Sequence, residues 1–231
     1  MRLTSWAITY RGRRADNQDA VLIPSGVAPD DGAVITTEVE LGDDGMLCAL
    51  TDGVGGRPGG AWASQRALEV LHSSGCPGNS VEALSETLRQ AQDRVHDEGA
   101  ARGGPATTIA GVSCNRARTI IFNVGDSRVY KLDSDSPKLM SVDHLSRTDG
   151  RSVTRFLGGH LAQAMPHMIV FEDPRAHRYL ICSDGLYAFV RSTDLLLPAE
   201  IDPTTALTSL IGLAMDNGSQ DNISAIYCQI D

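Results

Sequence analysis

Read from the amino end, apolar residues fall in short runs broken by Gly, Asp, Asn and Pro. Residues 3–10 and 18–23 predict strands on either side of the turn "RGRRADNQDA", and 34–40 and 46–51 predict two more, set off by the turn formers of "DDGAV" and "LGDDGM". The pattern then changes period. Gly60–Ser73 reads as a helix, and Asn79 opens a second, with Glu82 three residues on as in a capping box. Val81, Leu84, Leu88, Ala91 and Val95 recur at helical spacing, which marks a core-facing stripe rather than a cofactor surface.

After a Gly-rich connector at 99–106, strands return as "TTIAGVSC", "TIIFNVG" and "RVYKLD". Their short links favour antiparallel pairing, because a parallel crossover needs a dozen or more residues. Asp202-Pro203 reads as an N-cap followed by Pro at the first helical position, opening a helix that ends near Asn217-Gly218. Ile223–Ile230 predicts a closing strand. Strands in runs and helices in runs indicate an α+β layered fold, and 231 residues with 42% hydrophobic content suit one domain spanning 1–231.

Two of the apolar runs stop in the same way. "MLCALTDG" ends on Asp52-Gly53 and "YLICSDG" on Asp184-Gly185. An Asp also follows "IIFNVG" at Asp126, and Asp221 precedes the last strand. Any one of these is most simply a turn residue, since Asp and Gly dominate turns. Four at strand ends suggest a shared task.

Charge narrows the choice of task. A formal net charge of −9, from 20 Lys and Arg against 29 Asp and Glu, argues against a nucleic-acid partner, because phosphate backbones are bound by clusters of Lys and Arg. No apolar stretch approaches the roughly 18 residues of a membrane span, and "MRLTSWAITYRGRR" has no signal-peptide apolar region, so no membrane and a cytoplasmic location are expected. Cys48, Cys114, Cys182 and Cys228 lie in apolar runs and read as reduced core thiols; Cys76 falls in a loop. If the four strand ends meet, the gathered carboxylates repel one another until cations neutralise them. An all-oxygen ligand set suits Mg²⁺ or Mn²⁺ rather than structural zinc. Without a side chain, Gly53 can turn its backbone carbonyl toward such an ion.

Six segments, in order, resemble the motifs of bacterial metal-dependent serine/threonine protein phosphatases of the PPM (type 2C) family. They are "RADNQD" at 14–19, "TDGVGG" at 51–56, "ATT" at 106–108, "GDSRVY" at 125–130, "SDGL" at 183–186 and "QDN" at 220–222. The resemblance covers nearly the whole chain. It implies a four-layer αββα sandwich, two central antiparallel sheets flanked by helices, with two Mn²⁺ or Mg²⁺ ions at one end. By position, Asp52 would bridge the ions, Asp184 and Asp221 would bind one, and the Gly53 carbonyl the other. Asp19 would hold coordinated waters, Asp126 with Asp184 a third, weaker ion, and Arg14 the substrate phosphate. The implied reaction is hydrolysis of phosphoserine and phosphothreonine by a metal-activated water, with Asp52, Asp184 and Asp221 catalytic, the substrates being phosphorylated proteins in a signalling system with a serine/threonine kinase. The alternative is a catalytically weak module that binds phosphoproteins on the same fold.

The chain departs from the family pattern in places. Gln18 stands where many relatives have Glu, Ala106 replaces the Gly of "GTT", and no His follows Asp52-Gly53. His144, His160, His167 and His177 are read as surface or packed residues, with no role assigned. The flap segment, around 145–176, is shorter than usual, which implies an open cleft with loose peptide selectivity.

Overall fold

The computed structural model of the chain describes residues 1–28, 32–54, 59–75, 80–132, 136–159, 165–172, 177–197 and 200–231. In chain order the elements are β1 (Arg2–Tyr10), β2 (Asp19–Ile23), β3 (Gly26–Val27), β4 (Ile35–Glu40), β5 (Met46–Asp52), α1 (Gly60–Ser73), α2 (Val81–Gly99), β6 (Ala106–Thr107), β7 (Ile109–Cys114), β8 (Thr119–Val124) and β9 (Arg128–Lys131). They continue as β10 (Lys138–Leu139), β11 (Leu157–Gly158), β12 (His167–Phe171), β13 (His177–Cys182), α3 (Asp184–Tyr187), α4 (Pro203–Asp216) and β14 (Ile223–Ile230).

One six-stranded sheet runs β10-β9-β13-β14-β1-β4 and the other β12-β8-β7-β5-β2-β3, with β11 and β6 forming a separate pair. The pairings within both sheets are antiparallel, as the short links require. Because strand side chains alternate between faces, the central strands serve two cores at once. In β13, Tyr179 and Ile181 enter the core between the sheets, whereas Leu180 and Cys182 face α4. In β5, Cys48 and Leu50 face the first sheet, while Leu47 and Ala49 pack under α1 and α2. Covered on both sides, these strands show unbroken apolar runs rather than alternation. The layers are α1 and α2, sheet, sheet, then α4: the αββα sandwich.

The helices follow the sequence pattern, with one correction. Leu84, Leu88, Ala91 and Val95 are the buried stripe of α2. Its cap is Ser80, whose hydroxyl accepts from the Ala83 backbone N–H, so the expected Asn79 capping box with Glu82 does not form; Asn79 itself lies outside the described residues. The cause is register: a cap acts on the N–H three residues on, and the helix starts at Val81. Asp202 caps α4 as expected, accepting from the Thr205 N–H, with Pro203 in the first turn. Cys48, Cys114, Cys182 and Cys228 are buried free thiols; Cys76 and His160 lie outside the described residues. Among the described residues no helix is long and apolar enough to cross a membrane. The stretch 145–176 is loop only in part, since β12 within it is the edge strand beside β8. The chain ends are paired, Arg2 and Asp231 exchanging backbone hydrogen bonds of 2.8 and 2.9 Å.

Candidate active site

Antiparallel pairing decides where the acidic residues go. The β1 end at Tyr10 pairs with the β14 start at Ile223, and Asp19 at the start of β2 sits opposite Asp52 at the end of β5. Cys182 at the end of β13 lies across from Ala225 of β14, and Val124 at the end of β8 across from Ile109 of β7. All of these strand ends therefore share one rim of the sandwich. Arg14, Asp52, Gly53, Asp126, Asp184 and Asp221, from five separate segments, line a single cavity there of about 410 Å³, together with Gln18, Thr108 and Val153.

Asp19 is set differently. It is 6% exposed, and one carboxylate oxygen accepts from the Ser183 hydroxyl at 2.9 Å, while its Oδ1 has no hydrogen-bond partner among the described residues. It borders a neighbouring cavity with Thr9, Asn17 and Gln65 rather than the main one. Sequence placed it with the other acids; the structure makes it the cross-strand neighbour of Asp52, reaching into a buried network. Ser183 Oγ also accepts from the Ser224 N–H, Ser224 Oγ donates to Thr9 Oγ1, and Asn17 donates to the same Thr9 oxygen while accepting from the Asp19 N–H.

The two Asp-Gly glycines are there for space. A Cβ on Gly185 would lie 1.9 Å from the Asn222 carbonyl oxygen, and one on Gly53 would lie 2.8 Å from Gly60 backbone and 2.9 Å from Gln18 Cβ. Only glycine lets the site loops close this tightly.

Other residues brace the acids, and the sequence reading missed them. Thr107 Oγ1 donates to the Asp52 carbonyl at 3.0 Å, the Thr108 N–H donates to the same carbonyl at 2.8 Å, and Thr108 Oγ1 accepts from the Asp52 N–H. The motif "ATT" thus fixes the bend after β5, while Ala106 takes part through its carbonyl, which accepts from the Val54 N–H. Asn222 joins the β1–β2 loop to the entry of β14: its amide oxygen accepts from the Gln18 N–H, and its amide nitrogen donates to the Arg11 and Asp16 carbonyls. Arg128 pairs with Asp143 at 2.7 Å and lies 3.8 Å from the Tyr187 ring, tying β9 to α3 behind Asp126 and Asp184. Buried His144 accepts from the Gly125 N–H at 3.0 Å; burial, and then the Arg155 charge, lower its pKa and keep the ring neutral. The only sequence sign of these contacts is the run of small hydroxyl and amide residues beside each Asp.

The electrostatics show what the cavity lacks. Burial, then the charges of Asp19, Asp184 and Asp126, push Asp52 well above the ordinary carboxylate range. Burial first and neighbouring acids second raise Asp126 to about 7, and burial with the charge of Asp184 raises Asp19 to about 7 against its serine hydrogen bonds. Asp184 is raised by burial and by Asp221, and its carboxyl is within hydrogen-bonding reach of Asp52. Arg14, 2.6 Å from Asp221, is the one cationic side chain in the cavity lining. The donor set is all oxygen and positive charge is short, and beside the cavity the buried Asp19 Oδ1 is orphaned: the residues fit hard divalent cations. Among the described residues no three acidic, His or Cys side chains already enclose one point. Mg²⁺ and Mn²⁺ sites of one or two carboxylates completed by water and backbone carbonyls do not need such a cage.

No protein-family model matches the chain. Over 209 residues it is 28% identical to the serine/threonine protein phosphatase PstP of Mycobacterium tuberculosis, covering 80% of this chain and 40% of that protein. The serine/threonine phosphatase of S. agalactiae superposes with a TM-score of 0.80 at 21% identity, over 99% of this chain and all of that one. The PPM Ser-Thr phosphatase MsPP of Mycobacterium smegmatis superposes with a TM-score of 0.74 at 25% identity, over 98% of each chain. In sequence and in fold the chain is similar to bacterial PPM serine/threonine phosphatases. The chain spans about two fifths of the length of the mycobacterial PstP.

Proposed function

We propose that this chain hydrolyses phosphoserine and phosphothreonine in proteins with the aid of bound Mn²⁺ or Mg²⁺. The observation that carries the reading is the single cavity in which Asp52, Asp126, Asp184, Asp221 and the Gly53 backbone face Arg14. Asp52, Asp184, Asp221 and the Gly53 carbonyl would hold two ions, Asp126 with Asp184 a weaker third, and Asp19 would act through ordered waters. When bound, such ions supply Lewis-acid charge to the phosphoryl oxygens and make a water acidic enough to attack phosphorus near neutral pH.

The chain's own residues supply the rest. Arg14 stays protonated, its pKa raised by the hydrogen bond and charge of Asp221. One of its N–H groups meets Asp221; the remaining fork can take two phosphate oxygens, as a lysine could not. Asn222 fixes the loop that carries Arg14 and so sets the phosphate's place. Thr107 and Thr108 fix the Asp52 backbone, which would preorganise its carboxylate for the reaction.

On this reading the partners are phosphorylated proteins and a serine/threonine kinase that makes them. Four buried free thiols agree with a reducing cytoplasm. The short flap segment leaves the cleft open. A phosphoprotein-binding module without turnover would have no use for this density of unneutralised carboxylate.

Hydrolysis of p-nitrophenyl phosphate and of phosphopeptides, with Mn²⁺ and with EDTA, tests the proposal. Turnover that requires the cation is expected. Metal-independent turnover would overturn the mechanism, and phosphopeptide binding without turnover would favour the module.

A further inference from the structure

The rim of the acidic cavity is basic. Between Leu145 and Phe156 the chain carries Arg147, Arg151 and Arg155 against one acid, Asp149, in a protein whose net charge is −9. This segment is a built loop. Leu145 bridges to Val153, the Ser146 N–H donates to the Ser152 carbonyl, the Thr154 N–H donates to the His144 carbonyl, and the Asp149 carboxylate accepts from the Arg151 and Ser152 N–H groups. Val153 lines the cavity that holds Asp52 and Arg14, so the loop stands at its mouth. Arg155 follows two residues on, within hydrogen-bond reach of the Met165 carbonyl.

All three arginines are exposed, and among the described residues none is ion-paired with a carboxylate. Arg155 is steadied by hydrogen bonding to the Met165 carbonyl at 3.3 Å, which leaves its charge uncompensated. The β1–β2 loop, which lines the cavity through Arg14, Ala15 and the acid Asp16, also carries Arg11 and Arg13, both exposed. Elsewhere on the surface Arg66, Arg89, Arg94 and Arg191 are ion-paired with carboxylates. Unpaired ones at a cleft mouth are free to meet a ligand's charges. Both loops contribute to the cavity lining, one through Val153 and the other through Arg14, Ala15 and Asp16, and at physiological salt charge acts over roughly 8 Å.

We propose that this loop selects substrates by charge: the preferred ligands are phosphopeptides with Asp or Glu beside the phosphorylated residue, read by Arg147, Arg151 and Arg155. The inference rests on the phosphatase reading and names its substrate class. It also reconciles an open cleft with selectivity, because charge sorts peptides where shape does not. Fields of this kind act mainly on encounter and register, so the effect falls on kcat/KM and shrinks with salt.

The test uses the Mn²⁺-loaded chain and three phosphothreonine peptides differing only in flanking residues: acidic, neutral and basic. Expected is a kcat/KM order of acidic over neutral over basic, on the order of tenfold end to end at low salt. In the charge-reversed variant Arg147→Glu with Arg151→Glu the order should invert, with p-nitrophenyl phosphate turnover reporting that the variant is folded. Equal kcat/KM for the three peptides, with p-nitrophenyl phosphate hydrolysed, overturns the charge reading alone. No hydrolysis of any substrate overturns the phosphatase reading instead. Inhibition by an RNA oligonucleotide stronger than by an unphosphorylated acidic peptide, and lost in the variant, would make the loop a general polyanion surface and also overturn the proposal.

Discussion

The Arg14 guanidinium and the Asp221 carboxylate, 207 residues apart in sequence, meet at 2.6 Å on the cavity wall. Both side chains are more than a third exposed, so the pair is worth at most about 1 kcal/mol to the fold. Its value is positional. Arg14→Ala should lower kcat/KM for a phosphopeptide by about 100-fold, the scale of one lost transition-state donor, and Arg14→Lys should recover only part of it. Thermal unfolding should barely change; a loss of several degrees would move Arg14 into the scaffold.

Asp52→Asn and Asp184→Asn should each cut turnover by orders of magnitude while leaving a folded protein. In EDTA these variants should melt above the parent, because a repelling carboxylate is gone. Adding Mn²⁺ should raise the melting temperature of the parent, by the equivalent of about 2.7 kcal/mol at a hundredfold excess over Kd, and raise the variants less. Identical Mn²⁺ shifts in parent and variants would remove both residues from the cation site.

In metal-free protein the folded chain keeps protons on Asp19 and Asp126 up to about pH 7. The unfolded chain releases them near pH 4. Between those values the folded state binds more protons, so stability should fall as pH rises from about 4 to 7 and level off above, by a few kcal/mol in order of magnitude. Urea unfolding in EDTA across this range measures the slope; stability that rises through the window contradicts the reading. Mn²⁺ should flatten it.

Asn222→Ala removes one acceptor and two donor contacts to the Gln18, Arg11 and Asp16 backbone. A loss of about 1–3 kcal/mol is expected in urea unfolding, with a raised KM as the Arg14 loop loosens. Gly185→Ala should be worse, since its Cβ would collide with the Asn222 carbonyl. If its activity and melting point match the parent's, the close packing assigned to this glycine is not required.

How far this architecture was legible in the sequence depends on the range of each contact. The stripe of α2, the Asp202-Pro203 start of α4 and the strand runs of β5, β13 and β14 follow from local periodicity, and all are present. The Asp residues at strand ends pointed to Asp52, Asp126, Asp184 and Asp221, which do meet in one cavity. The hydroxyl network around Asp19, the Thr107 and Thr108 brace and the Asn222 clasp were not legible, because each partner is set by strand register between distant segments. β12 was hidden for another reason: all five of its residues are half-buried, and its pattern has neither the alternation of an open face nor the length of a core strand.

The exchange of backbone hydrogen bonds between Arg2 and Asp231 places both chain ends on the rim opposite the acidic cavity. A short tether from Asp231 back to Met1 would therefore circularise the protein without crossing the cleft. New termini cut into the β7–β8 turn at 115–118, on that same far rim, would give a permuted chain whose acidic cavity is left intact.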